Sequence, residues 1–404
     1  MVVGVLTTVL VARLLGPHGF GVLSIALAIA FTVSGLSDWG MSVAFTRLAS
    51  PEVMAGRAIR HQHTVFLLLR VGIATALAAA VALAGPWLLP SLQLPPEYPW
   101  LAAAGAVAGL ALGVGAHYAT VLQILRDQRG LAVIRTGASL LRLGAYVTVA
   151  ALAPSPLTAV LAVGLLAIPV EAALTAARAH RRVSLWPLVR ARPPRAWLEF
   201  SLWAALPAIA YNLIGQTDTI LMAAFAGTAE TGRWAAAARV GGVLLMGSGA
   251  IWSVALPYAT AISDRAQLTR YFRLVRLGAL ALAAVAVPAI VLAPWIVRLL
   301  YGQAYADSVP ALRFLLAANT LGSLALVLVP VAYRLRREKL VAIVGGVQFA
   351  VNLGGDALLI PRFGATGCAA ATFAMQLAAL SILALPVLGD LERGGELPPA
   401  SMSA

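Results

Sequence analysis

Charge is scarce in this 404-residue chain: 11% of its residues are charged and 61% are hydrophobic. A water-soluble domain carries about one-quarter charged residues, so this chain lacks the polar side chains to coat a surface in water. Lysine is reduced to Lys339, and cysteine to Cys368, which rules out an intrachain disulfide. No Gly-rich stretch runs into Lys-Ser/Thr, which excludes a P-loop ATPase within the chain. No basic leader follows Met1 and no small-residue cleavage site precedes a soluble domain, so no signal peptide is expected. Loops between the apolar runs are too short for a glycosyltransferase domain.

Catalytic groups are equally thin. Gly247-Ser248-Gly249 superficially resembles an intramembrane serine protease site, but all five histidines (His18, His61, His63, His117, His180) precede it. Of these, His117 alone lies well inside an apolar run, and close Gly and Ser read better as helix packing. His61 and His63 are expected to face the cytoplasm beside Arg57 and Arg60; without a third ligand they make weak metal candidates. The chain does not read as an enzyme and calls for no cofactor.

What is present is a succession of apolar runs near twenty residues long, each enough to cross a bilayer core of ~30 Å as a helix. Too many are apolar all round for one large soluble helical protein. Twelve spans are expected, at 1–15, 21–46, 64–89, 100–125, 131–153, 157–178, 199–225, 233–257, 274–297, 308–333, 340–360 and 366–388. The net charge of +14 is spread over short clusters between spans, unlike the single patch of a nucleic-acid binder. Twenty basic residues fall in one set of loops, around Arg47–Arg60, Arg126–Arg135, Arg178–Arg195, Arg265–Arg276 and Arg334–Lys339. The other set has four: Arg13, Arg233, Arg298 and Arg362. The positive-inside rule makes the first set cytoplasmic, with both termini inside.

The loops also repeat. An offset of 211 carries the glycines of Gly16-Pro-His-Gly-Phe-Gly21 onto Gly227 and Gly232, and Arg126–Gly130 onto Arg337–Val341. The fold class expected is therefore an all-α polytopic membrane protein with two pseudo-symmetric six-helix bundles around a central cavity. The domains are 1–178, a cytoplasmic linker 179–198, 199–388 and a cytoplasmic tail 389–404. Two-bundle transporters place substrate between their halves. By the same offset the first helix is about a dozen residues short, so a truncated start is expected.

Ionisable residues inside the spans are the candidate site. Asp218 and Arg239 flank the outer turn at similar depth, roughly 12 to 15 Å below the surface at 1.5 Å per residue. A charge there costs several kcal/mol in lipid, so each must face protein or water. Two readings stay open: an ion pair pinning helix seven to helix eight, or the lining of an aqueous path. Arg142, Glu171, Arg313 and Asp356 lie within further spans, Asp38 and Arg47 near the inner end of helix two, and Arg70 near the start of helix three, where snorkelling to headgroups is the common role. Arginine outnumbers acid, which suits an anionic substrate held by paired guanidinium hydrogen bonds. Gly105, Gly109 and Gly113 read as a close-packing stripe, and Pro207, Pro288, Pro330 and Pro386 as places where helices bend.

The run VARLLGPHGFGVLSIALAIAF, then LSDWGMSVAFTR, QTDTILMAAFAGTAETGRWAAAARV, WSVALPYAT, LLYGQAYADSVPALRFLL and NLGGDALLIPRFGATGCAAAT together resemble bacterial polysaccharide and O-antigen flippases. These belong to the multidrug/oligosaccharidyl-lipid/polysaccharide exporter superfamily. The resemblance runs from Met1 to about Leu388, with the short first helix as a departure. It implies two bundles rocking about a cavity, and a glycan on a polyprenyl pyrophosphate moved to the outer leaflet of the bacterial inner membrane. It also implies that Arg13, Asp38, Arg47, Asp218 and Arg239 occupy the family's polar positions in helices one, two, seven and eight. Arginines would hold the diphosphate; acids such as Asp218 and Glu171 would exchange partners with them or accept a coupling H+ or Na+. Expected partners are membrane lipids, the lipid-linked saccharide, and a polysaccharide polymerase and glycosyltransferases. Two other readings are a multidrug or small-cation exporter of the same superfamily, and a non-transporting scaffold of a glycan-assembly complex.

Overall fold

A computed structural model describes residues 2–152, 156–185, 215–244, 262, 265–335 and 337–392, and among these every regular element is helical. The helices are α1 (Val2–Leu36), α2 (Met41–Met54), α3 (Arg60–Ser91), α4 (Leu101–Ile124), α5 (Gln128–Leu152), α6 (Pro156–His180), α7 (215–244), α8 (Arg265–Val291), α9 (Ala293–Tyr301), α10 (Val309–Arg334) and α11 (Glu338–Glu392). A 3-10 turn, Gln303–Ser308, leads into α10. Seven of the described helical stretches are long and apolar enough to cross a membrane. Leu83, Trp87, Leu299 and Leu385 are each three-quarters exposed, which is stable where lipid rather than water covers the surface. This is a multi-pass membrane protein.

Of the spans expected at 199–225 and 233–257 only residues 215–244 are described; the others reappear with instructive differences. The first two are continuous in α1 but bend at Gly16, whose φ of 65° is left-handed; Gly227 bends α7 with φ 81°, and Gly364 bends α11 with φ 53°. Glycine tolerates that conformation without a Cβ clash. The run expected to continue from 21 to 46 stops instead at Leu36. Trp39 and Gly40 take φ of 42° and 70°, and α2 starts afresh at Met41. The span at 274–297 is likewise divided after Val291, close behind Pro288.

Two compact units are present, Met1–Gly232 and Arg233–Ala404. The linker expected at 179–198 lies outside the described residues from 186 onward, as do Pro207, Gly247–Gly249 and the tail after Glu392. In the first unit the glycine stripe does what its spacing suggests. A Cβ on Gly109 would sit 2.6 Å from the Ala30 carbonyl oxygen, and one on Gly105 3.0 Å from that of Ala26, so α4 lies directly on α1. A second close approach belongs to the repeat itself. A Cβ on Gly21 would fall 1.7 Å from the Thr228 carbonyl oxygen, and one on Gly232 would fall 1.8 Å from that of Pro17. Each residue of this reciprocal crossing is 211 positions from its counterpart. The His18 ring adds a 2.7 Å hydrogen bond to the Thr228 hydroxyl. That crossing gathers the chain up to Gly232 into the first unit.

The second unit is built on α8, α10 and α11. Leu328, Val344, Ala379 and Leu383 form one apolar cluster, and Ile262, Leu268, Tyr271, Val331 and Ala332 another. Tyr271 donates its hydroxyl to the Val327 carbonyl at 2.7 Å, and Arg334 Nε donates to the Ile262 carbonyl at 2.7 Å. Asn319 Nδ2 donates to the Gly241 carbonyl at 2.8 Å, joining α10 to α7.

Candidate functional site

The break between α1 and α2 creates the first charged site. By interrupting the helix at Trp39–Gly40 the chain frees Asp38 to turn inward, and Ser42, one turn on, donates to Asp38 Oδ1 at 2.5 Å. Arg70 of α3 closes the ring: its Nη1 lies 2.7 Å from Asp38 Oδ1 and 3.0 Å from Ser42 Oγ. The Arg70 side chain is only 4% exposed, so it does not snorkel. A helix start reads as a membrane edge from sequence alone, but the break in the facing helix brings an acid to it at that depth. Removing one member of a buried pair costs about 3–5 kcal/mol. Gly113, last of the stripe, faces this ring: a Cβ there would lie 2.8 Å from Ser37 Oγ and 3.7 Å from Arg70 Nε.

The second site is more open. Arg142 of α5 gives one hydrogen bond, Nη2 to Glu171 Oε2 of α6, at 3.2 Å. Both side chains keep about 30% of their surface exposed, and Arg142 Nε has no partner among the described residues. A guanidinium offers five donors in a planar fork. Among the described residues one of these donors is committed, to Glu171. At the basic ends of the helices, Asp127 accepts from Arg178 Nε at 2.7 Å, from Arg178 Nη2 at 3.0 Å, and from the Gly130 amide. The Arg178 guanidinium, chiefly through these bonds, holds the Asp127 carboxyl below its ordinary range.

Arg13 is exposed on α1 and Arg47 on α2; Asp218 is half-buried in the first part of α7, and Arg239 exposed in its second part. Arg313 is exposed on α10 and donates Nε to the Ile290 carbonyl of α8 at 3.2 Å. Asp356 of α11 is fully buried. Within the units, the structure joins Asp38 to Arg70 and Arg142 to Glu171.

Sequence reasoning missed one cluster altogether. His63 is fully buried rather than facing the cytoplasm, because α3 packs it on the equally buried His117 of α4. Their rings stack 5.1 Å apart and nearly parallel, with Nδ1 of His63 3.0 Å from Nε2 of His117. Tyr118 and His180 make a second pair, hydroxyl to Nε2, at 2.8 Å. The usable signal was topological: the start of α3 and the ends of α4 and α6 all lie on the arginine-rich side.

Comparison with known proteins fits this architecture. Among solved structures, the lipid II flippase MurJ in an inward closed conformation matches with a TM-score of 0.75 and 14% identity, over 97% of this chain and 87% of that one. An inward-facing multidrug resistance MATE family transporter of the MOP superfamily matches at 0.69 and 17%, over 97% and 94%. The Vibrio cholerae MATE transporter VcmN, in its bent form, matches at 0.54 and 16%, over 97% and 98%. At such identities the likeness concerns the fold, which in these proteins has two lobes of helices. No curated protein sequence matches the chain. The family model described as polysaccharide biosynthesis protein matches residues 1–263, well over half the chain. The chain belongs to the polysaccharide biosynthesis protein family.

Proposed function

We propose that this protein carries a glycan linked to a polyprenyl diphosphate from the inner to the outer leaflet of the bacterial inner membrane, by alternating access, for cell-surface polysaccharide assembly. Arg142 supports the reading most directly. A part-exposed guanidinium within an apolar helix, with one long hydrogen bond to Glu171, is suited to take a diphosphate through charge-assisted hydrogen bonds. Glu171 would release Arg142 as the anion arrives and recover it on departure. The prenyl chain needs no protein pocket, since lipid solvates it. Arg13, Arg47, Arg239 and Arg313, exposed on their helices, would serve the same anion along its path, with Asp38, Asp218 and Asp356 as their exchangeable counter-charges.

The basic loops would face the cytoplasm, where glycosyltransferases build the lipid-linked sugar, and a polymerase would receive the product on the other side. The family assignment and the two-lobe fold support this reading over a scaffold. No particular observation favours a drug exporter. The test is complementation of a flippase-null strain. The unaltered gene should restore surface polysaccharide, whereas Arg142→Gln and Arg239→Gln should fail at unchanged protein levels. Full restoration by both variants would overturn the proposal.

A further inference from the structure

Two glutamines of the second unit meet deep inside its membrane spans. Gln348 lies about 15 Å along α11 from Glu338, and Gln376 about 18 Å beyond the bend at Gly364, at 1.5 Å per residue. Both depths are near the middle of a bilayer core of ~30 Å. Gln348 Nε2 donates to Gln376 Oε1 at 3.3 Å. The Gln376 head rests on α10 at Gly322, where a Cβ would come 2.9 Å from Cδ and Oε1 and 3.0 Å from Nε2. Three nearly equal distances mean that the amide lies face-on against the glycine, and any larger residue would displace it.

The first half fills the place of Gln348 differently. Leu131 N donates to Asp127 O at 3.2 Å and Val341 N to Arg337 O at 3.3 Å; Leu125 N donates to Val121 O at 3.0 Å and Leu335 N to Val331 O at 2.9 Å. Each of these bonds is 210 positions from its counterpart, so Gln348 answers to Ala138, Asn319 to Gly109 and Val327 to His117. Ala138 is buried; a methyl is enough for packing there. A primary amide offers two N–H donors and a carbonyl. The bond between the two heads engages one donor of Gln348 and the carbonyl of Gln376, and among the described residues it is the one hydrogen bond either head makes. Both side chains are part-exposed. A pair serving only to tie helices together would be shorter and closed off. On α10, by contrast, Asn319 and Ser323 are buried and committed to the Gly241 and Asn319 carbonyls.

We propose that Gln348 and Gln376 recognise the saccharide of the cargo, with Gly322 as the residue that positions Gln376. The inference rests on the flippase reading above and adds a sugar-specific contact to it. Neutral planar heads that present N–H and C=O side by side match sugar hydroxyls and N-acetyl groups, each of which gives and takes hydrogen bonds. A diphosphate calls instead for cationic donors. A sugar hydroxyl can enter the long Gln348–Gln376 bond, accepting from Gln348 Nε2 and donating to Gln376 Oε1, so neither amide loses a partner. The remaining N–H and carbonyl groups then hold a neighbouring hydroxyl or acetamide. The midplane is also where transporters of two-bundle design hold their substrates.

The test measures binding by the purified full chain of tail-labelled polyprenyl diphosphates carrying N-acetylglucosamine, galactose or no sugar, read as fluorescence anisotropy. Unaltered protein should bind at least one sugar-bearing lipid more tightly than the bare diphosphate. Gln348→Ala, which adopts the first half's residue, and Gln376→Leu should each weaken that lipid by about tenfold and leave the bare diphosphate unchanged. Gly322→Ala should do the same through Gln376. Binding of the bare diphosphate serves as the check that each variant is folded. Equal losses for sugar-bearing and bare lipids, no loss for either, or no preference for sugar in the unaltered protein overturns the recognition. Translocation of the sugar-bearing lipids in liposomes separates the two readings. Translocation that is indifferent to both glutamines refutes the recognition and keeps the flippase. Sugar-dependent binding that needs both, with no translocation by the unaltered protein, does the reverse.

Discussion

The C-terminal end of α4 and the C-terminal end of α10 close with the same backbone bond and carry different side chains. At the first, two imidazoles, a phenol and a nearby guanidinium are packed among Phe45, Phe66 and Leu122. At the second, Leu328 packs beside Val344, Ala379 and Leu383, and the Val327 carbonyl accepts the Tyr271 hydroxyl. One repeat shows what packing requires, so the excess polarity in the other has to be explained by something besides packing. The middles of the same helices differ in the converse way. Gly109 rests against Ala30 with no polar contact, while Asn319, at the equivalent place, hydrogen-bonds the Gly241 carbonyl. Two copies of one scaffold carry different polar side chains at equivalent places.

The comparison is broken most severely where the repeats agree. Gly21→Val and Gly232→Val would each drive a side chain into a backbone carbonyl, and both should lose about 3 kcal/mol or more of stability, read as a matched fall in thermal midpoint in detergent. Unequal falls would show that the crossing is not reciprocal. Next, Asp38→Asn and Arg70→Met should each cost about 3–5 kcal/mol, because the surviving charge stays buried, and the double variant should recover much of that loss. Arg142→Gln should move the midpoint by less than about 1 kcal/mol, since a part-exposed pair holds little stability, and yet abolish transport. The smallest effect concerns Asp127. Its carboxyl titrates below the ordinary value when folded, so its contribution is present above that value and is lost as pH falls through the lower folded one. Below about pH 4 the unaltered protein should lose thermal stability more steeply than Asp127→Asn.

Much of the fold was legible in the chain because lipid imposes one rule on every span, and the repeat offset marked Gly16/Gly227 and Gly21/Gly232 before any coordinates. What escaped was local. Nothing in SDWGMS declares a helix break, since Trp39 in a left-handed conformation is not written in its residue type, and without the break Arg70 reads as a headgroup contact. The offset also slips, from 211 at the first turn to the spacing of Ile124 and Arg334 at the helix ends, which hid the pairing of His117 with Val327. Depth was readable from sequence; the face each side chain presents was not. Arg142 and Glu171 were both identified as candidates, but only packing of α5 on α6 reveals that they are partners.

The central claim, that an under-committed guanidinium in α5 carries a lipid-linked diphosphate, meets its most direct test in a reconstituted translocation assay. Purified protein in liposomes should expose a fluorescent polyprenyl-diphosphate sugar to an outside quencher, and Arg142→Gln should reduce the rate by about tenfold or more. Translocation by Arg142→Gln at the unaltered rate, or none by the unaltered protein, would contradict it.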